Sequence, residues 1–150
     1  MQSHGTGALR GTRQGSYPVR HSASIKRGEN VAWTTVNTKL FTVDGTAANP
    51  VAYRVSLVVG TAFNPTGTAT TALGTSSGGT QLLTASNVKA AAGTNYAPAA
   101  AADIKIATSA VDIWASTVVS AHGSEFTAGE VFVILELFEI NLKATSEQGD

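Results

Sequence analysis

Hydrophobic and polar residues alternate with a period of two along much of the chain. In residues 51–59, Arg54 and Ser56 lie on one face of an extended backbone. The opposite face carries four apolar or aromatic side chains, those of Tyr53, Val55, Leu57 and Val59. Such alternation is typical of a β-strand with one buried face.

Similar short runs follow one another, separated by turn residues such as Asp44-Gly45. They predict further strands at residues 33–36, 39–43, 69–75, 81–84, 104–108, 112–119 and 130–140. Only residues 86–92 favour a helix, with Ser86 as its N-cap and Gly93 just beyond its end. We therefore predict an all-β fold, an antiparallel β-sandwich of jelly-roll-like form with one short helix and a flexible N-terminal arm.

The last predicted strand, residues 130–140, is mainly apolar on both faces. One face carries Val131, Val133, Leu135 and Leu137. The other holds the residues that we take as the candidate subunit interface, Phe132, Ile134, Phe138 and Ile140. Because a sandwich core covers one face of a strand, the second is covered by the arm or a neighbouring subunit, unless the strand is buried on both sides within its own domain. Glu136 shares this second face and needs a partner if the face is buried.

The first 28 residues have no hydrophobic period and predict an extended basic arm. The β-sandwich domain is then expected at residues 29–143 and a C-terminal tail at residues 144–150. Residues 1–30 carry five basic side chains and one acidic one, whereas residues 31–150 carry five and nine. We expect the arm to bind a neighbouring surface through the candidate anchoring residues Arg10, Arg13, Tyr17, Arg20, Lys26 and Arg27.

The composition limits the possible oligomeric states, covalent cross-links and membrane contacts of the protein. Only 13% of the residues are charged, so the surface is weakly protected against association and we expect an oligomer or a permanently bound protein. The absence of cysteine excludes disulfides and thiolate metal sites. No apolar run is long enough for a signal peptide or a membrane span, so we expect a soluble protein without membrane contact.

No constellation of residues indicates catalysis or ligand binding. His4, His21 and His122 have no metal-ligand spacing among them. Ser120, His122 and Asp112 lack the nucleophile elbow and oxyanion hole of a hydrolase. We expect no enzymatic activity, no catalytic residue, no cofactor and no metal. Nucleic-acid binding is also not expected, because four net positive charges spread over thirty residues are too dilute.

Four segments together resemble a known group of proteins: Leu40-Phe-Thr-Val43, the run at residues 58–68, Leu73-Gly-Thr75 and the run at residues 81–89. They are similar to small virion proteins of tailed bacteriophages that have a β-sandwich or jelly-roll fold. The resemblance extends over residues 39–140, excludes the arm and rests on loose motifs. Many members are capsid decoration, or cement, proteins that form trimers on the outside of the phage head.

The resemblance implies a structural protein that binds the major capsid protein, stabilises the capsid lattice and offers no catalytic residues. Its location would be the capsid surface of the virion, and the host cytoplasm during assembly. Two alternatives stay open: a tail or fibre-associated protein that recognises a host surface, and an internal or portal-proximal virion protein. Tyr96 is the one clear loop aromatic for stacking on a host glycan.

Overall fold

The structure is a computed structural model, and it describes residues 19–27, 35–98, 104–123 and 126–140. These ranges contain β-strands and turns but no helix. The strands are β1 Val19–Lys26, β2 Thr35–Asp44, β3 Val51–Thr61, β4 Ala69–Gly74, β5 Leu83–Asn87, β6 Asn95–Tyr96, β7 Lys105–Ala107, β8 Ala110–Val119 and β9 Glu130–Glu139.

The strands form two antiparallel sheets. The β9 sheet has the order β1-β9-β3-β6, and β7 also pairs with β3. The β8 sheet has the order β2-β8-β4-β5. Strands β1 to β4 alternate between the two sheets, as in a jelly roll. The antiparallel sandwich predicted from the sequence is therefore confirmed.

The core lies between the two sheets and is built from alternate residues of each strand. On β9, Val131, Val133, Leu135 and Leu137 are fully buried. The predicted apolar face of β3 is also buried: Tyr53, Val55, Leu57 and Val59. Opposite them, β4 and β8 contribute Leu73, Ile113, Ala115 and Val119. Each fully buried Leu or Val side chain stabilises the fold by about 1.5–3 kcal/mol relative to an exposed one.

The predicted short helix at residues 86–92 is wrong. Ser86 lies in β5 opposite Thr71 of β4. The backbone N–H of Val88 then donates to the carbonyl of Ala69, and the side chain of Asn87 accepts from the N–H of Lys89 at 2.9 Å. Pairing with β4 and this local turn satisfy the backbone groups, whereas a helix of two turns is too short to be stable by itself.

The boundary of the N-terminal arm also differs from the prediction. Residues 19–26, which the sequence assigns to the arm, form β1 and pair along their whole length with β9. Val19 and Ile25 are buried in the core. The sandwich therefore includes β1, ahead of the domain start expected at residue 29. Residues 1–18 and the tail at 144–150 lie outside the described residues.

Candidate functional site

The candidate site is the side of the β9 sheet turned away from the β8 sheet, here called the outer face. Along β9, the outer-face residues alternate with the buried core residues, so Phe132, Ile134 and Phe138 share this side. Phe132 is 37% exposed. Three further residues are partly exposed: Ile134 and Phe138 within the strand, and Ile140 just after it. The structure thus brings the candidate interface residues of β9 onto one face.

A charged row crosses the middle of the outer face. The strand register places Arg20 of β1, Glu136 of β9 and Arg54 of β3 side by side. The Nε of Arg20 donates to one carboxylate oxygen of Glu136 at 2.7 Å, and the Nε of Arg54 donates to the other at 2.5 Å. The side chain of Glu136 is only 12% exposed, whereas those of Arg20 and Arg54 are 67% and 40% exposed. A nearly buried carboxylate therefore holds two solvent-facing guanidinium groups.

The electrostatics of Glu136 follow from this arrangement. Burial opposes ionisation of the carboxyl group, but the hydrogen bonds and charges of Arg54 and Arg20 outweigh it and lower its pKa below the ordinary value of 4.5. Glu136 is consequently ionised at neutral pH. The partner that the sequence required for this residue is supplied by both neighbouring strands.

One apolar patch lies on the β7 side of the charged row. Ala52 is opposite both Phe138 and Ile106 in the register, so these side chains are neighbours. Ile106 is 62% exposed and Ile104, just before β7, is 52% exposed. The guanidinium of Arg54 lies 5.7 Å from the centroid of the Phe138 ring, within the range of a cation–π contact. This patch was not predicted, because the sequence does not place β7 beside β3.

A second apolar patch lies on the other side of the charged row. Phe132 pairs with Val58 on β3, and Ile134 pairs with Ser56. The Phe132 ring covers Gly60, where a Cβ atom would come within 2.5 Å of Cε2 of the ring. Gly60 sits where the register between β3 and β9 shifts. The glycine thus lets the aromatic ring lie close to the sheet.

The candidate anchoring residues are divided by the structure. Arg10, Arg13 and Tyr17 lie outside the described residues. Arg20 and Lys26 are exposed on β1, with side chains on the outer face. These two are the anchoring candidates that the structure brings to the site.

Arg27, the remaining anchoring candidate, is engaged within its own domain. Its Nε donates to the carbonyl of Phe126 at 2.9 Å, and its guanidinium lies 5.0 Å from the centroid of the Phe126 ring. The backbone N–H of Arg27 also donates to the carbonyl of Gly129. These contacts fix the end of β1 to the segment that leads into β9.

Asp112, Ser120 and His122 make structural contacts within the domain. Asp112 accepts a hydrogen bond from the hydroxyl of Thr42 at 2.8 Å and lies 3.7 Å from the ammonium of Lys39. The hydroxyl of Ser120 accepts from the N–H of Thr68, and the His122 ring lies beside Phe126. Within the described ranges, no three His, Asp or Glu side chains are grouped so as to hold a metal ion. Nor does that part of the chain contain a helix able to span a membrane.

Comparison of the chain with models of protein families, with curated protein sequences and with solved structures finds no match. The class that the fold and the outer face define is a β-sandwich whose β9 sheet carries exposed apolar residues on its outer face.

Proposed function

We propose that this chain is a non-enzymatic structural protein that binds other protein surfaces through its outer face. More specifically, we propose a capsid decoration protein that binds the outside of a phage head as a trimer and stabilises the lattice of the major capsid protein. The observation that carries the proposal is the exposure of Ile104, Ile106 and Phe132. Exposed apolar side chains grouped on one sheet face and bordered by polar residues are typical of a protein-binding surface.

The charged row suits the same purpose. Arginine is enriched at protein interfaces, where its planar group combines hydrogen bonding with stacking. Arg20 and Arg54 are already oriented by Glu136, so a partner does not have to order them. The outer face therefore offers two apolar patches with a preorganised polar strip between them.

The assignment to a capsid rests on the resemblance of residues 39–140 to phage virion proteins, together with the jelly-roll-like strand order. This fold occurs in viral capsid proteins, although it serves other functions as well. Three copies joined through Phe132, Ile134, Phe138 and Ile140 would bind the lattice with the gain that multivalency gives. The basic residues of the N-terminal segment would add electrostatic attraction to an acidic lattice.

A host-binding tail protein is the less favoured reading. Tyr96, the aromatic residue that would stack on a glycan, lies in β6, and its hydroxyl donates to the carbonyl of Asn87 at 2.7 Å. Its side chain is partly buried. The hydroxyl is thus used within the domain, and we retain capsid decoration as the proposal.

The test is to locate the protein in the particle. Purified virions from the source of the sequence are analysed by quantitative mass spectrometry and by electron cryomicroscopy. We expect many copies per particle, arranged with the symmetry of the head lattice on its outer surface. A few copies at the tail, or none in the particle, would contradict the proposal.

A further inference from the structure

Strand β1 lies at the edge of the described β9 sheet. Among the described strands, only β9 pairs with β1, so none of the described strands lies along the other edge of this eight-residue strand. The backbone N–H and C=O groups along such an edge can pair with an added strand. The edge is therefore a possible binding site in its own right.

The side chains of β1 determine what kind of strand fits there. Its outer-face row is hydrophilic, and its charges are all positive: Arg20, Ser22, Ser24 and Lys26. The row turned toward the core consists of Val19, His21, Ala23 and Ile25. An added strand would thus meet Lys26 at one end of one face and Arg20, which is paired with Glu136, at the other end. On its other face it would continue a mainly apolar row that His21 interrupts.

A second copy of β1 fits this edge poorly in one of its two best registers. Two antiparallel registers keep both core faces on one side and overlap seven of the eight residues. One places Arg20 opposite Ser24, and the other places Arg20 opposite Lys26. The twofold symmetry repeats this contact at the other end of the pair. Like charges directly opposite each other destabilise a strand pair. Basic side chains on an edge are also a common protection against unspecific pairing.

We propose that the free edge of β1 binds an extended segment of the partner protein whose outward side chains are acidic and whose inward side chains are small and apolar. The segment adds a strand to the β9 sheet, so that main-chain hydrogen bonds give affinity and the acidic residues facing Arg20 and Lys26 give selectivity. This inference rests on the proposed function, because it names how the binding protein holds its partner.

The experiment uses the full chain and a capped eight-residue peptide in which Glu and Val alternate. Affinity is measured by fluorescence anisotropy, and binding at β1 is followed by the hydrogen exchange of its backbone amides. We expect the peptide to slow exchange in β1. The matched peptide with Lys in place of Glu should bind at least about tenfold more weakly.

Variants at Ser22 separate strand pairing from general attraction. Ser22 is exposed in the middle of the outer-face row of β1. We expect Ser22→Glu to weaken binding of the Glu/Val peptide by about two- to fivefold and Ser22→Lys to strengthen it by a similar factor. The control is Thr35→Glu, an exposed position on the β8 sheet, which should leave the affinity unchanged.

Three results would overturn the proposal. One is equal affinity for the two peptides or for the Ser22 variants. Another is unchanged exchange in β1 when the peptide is bound. The third is an edge already protected in the free protein, by its own chain or by a second copy, together with no peptide binding. If the peptide does not bind but the protein is found on phage heads, only the inference about the β1 edge is overturned. If the peptide binds but the protein is absent from virions, only the proposed function is overturned.

Discussion

The Nε–H of Arg20, on the edge strand β1, donates a hydrogen bond to Glu136, a residue 116 positions further along the chain. Arg54, 82 positions away from Glu136, approaches the same carboxylate from β3. One side chain of the central strand therefore connects three strands of the β9 sheet. Removing its charge takes away the carboxylate that the two guanidinium groups share.

We expect Glu136→Gln to lower the free energy of unfolding by about 1–2 kcal/mol. A hydrogen bond to a charged group contributes about 1.5–3 kcal/mol, and the exposure of the two arginine side chains reduces this contribution. Urea denaturation at pH 7 measures the change. The control is Asp112→Asn, which removes the exposed Lys39 pair and should cost less. Equal losses in the two variants would show that the buried carboxylate has no special role.

The same residue predicts how stability depends on pH. Its pKa is lowered in the folded state relative to 4.5, so the unfolded chain binds the proton more readily. The stabilisation by Glu136 is thus present above pH 4.5 and is lost as the pH falls through the lowered pKa. Urea midpoints measured between pH 7 and pH 3 should fall less in Glu136→Gln than in the unchanged protein. Parallel curves would contradict the assignment.

We expect the isolated protein to sediment as a trimer at micromolar concentration and Phe132→Asp to sediment as a folded monomer. A charge placed in an apolar interface weakens association by at least about tenfold. Circular dichroism establishes that the variant is folded. Val118→Asp is the control, because Val118 is a similarly exposed apolar residue on the other sheet. A trimeric Phe132→Asp variant would place the interface elsewhere.

The basic residues ahead of β1 are expected to speed attachment to undecorated particles. Replacing Arg10 and Arg13 together by Ala leaves the Arg20–Glu136 pair intact and should slow association by about two- to tenfold at low salt. The difference should vanish near 1 M salt, where the Debye length is about 3 Å. Lys39→Ala serves as the control for a basic residue on the other sheet. If the variant and the unchanged protein attach at the same rate at low salt, Arg10 and Arg13 do not contribute to anchoring.

The sequence predicted the apolar elements of the fold better than the polar ones. The alternation in β3 and the two apolar faces of β9 follow directly from residue order. The charged row does not, because it depends on a strand register between distant segments. Glu136 was identified as needing a partner, yet nothing in the local sequence points to Arg20 or Arg54.

The two fold errors have a common physical cause. β1 contains few strongly apolar residues, so its hydrophobic pattern is weak, and pairing with β9 determines its conformation. Residues 86–92 have local helix signals, but the backbone pairing of β5 with β4 overrides them. In both cases, contacts with a remote strand outweigh the local propensity.

The position of β9 between β1 and β3 has a consequence for folding during synthesis. Both neighbours, residues 19–26 and 51–61, are synthesised before the strand that separates them, residues 130–139. The β9 sheet therefore cannot assemble until β9 itself has left the ribosome, and such long-range pairing is slow. Until then β9 is absent, and the edge of β1 that it later covers is exposed as well. Its arginine and lysine residues then protect the nascent chain from pairing with the wrong strand.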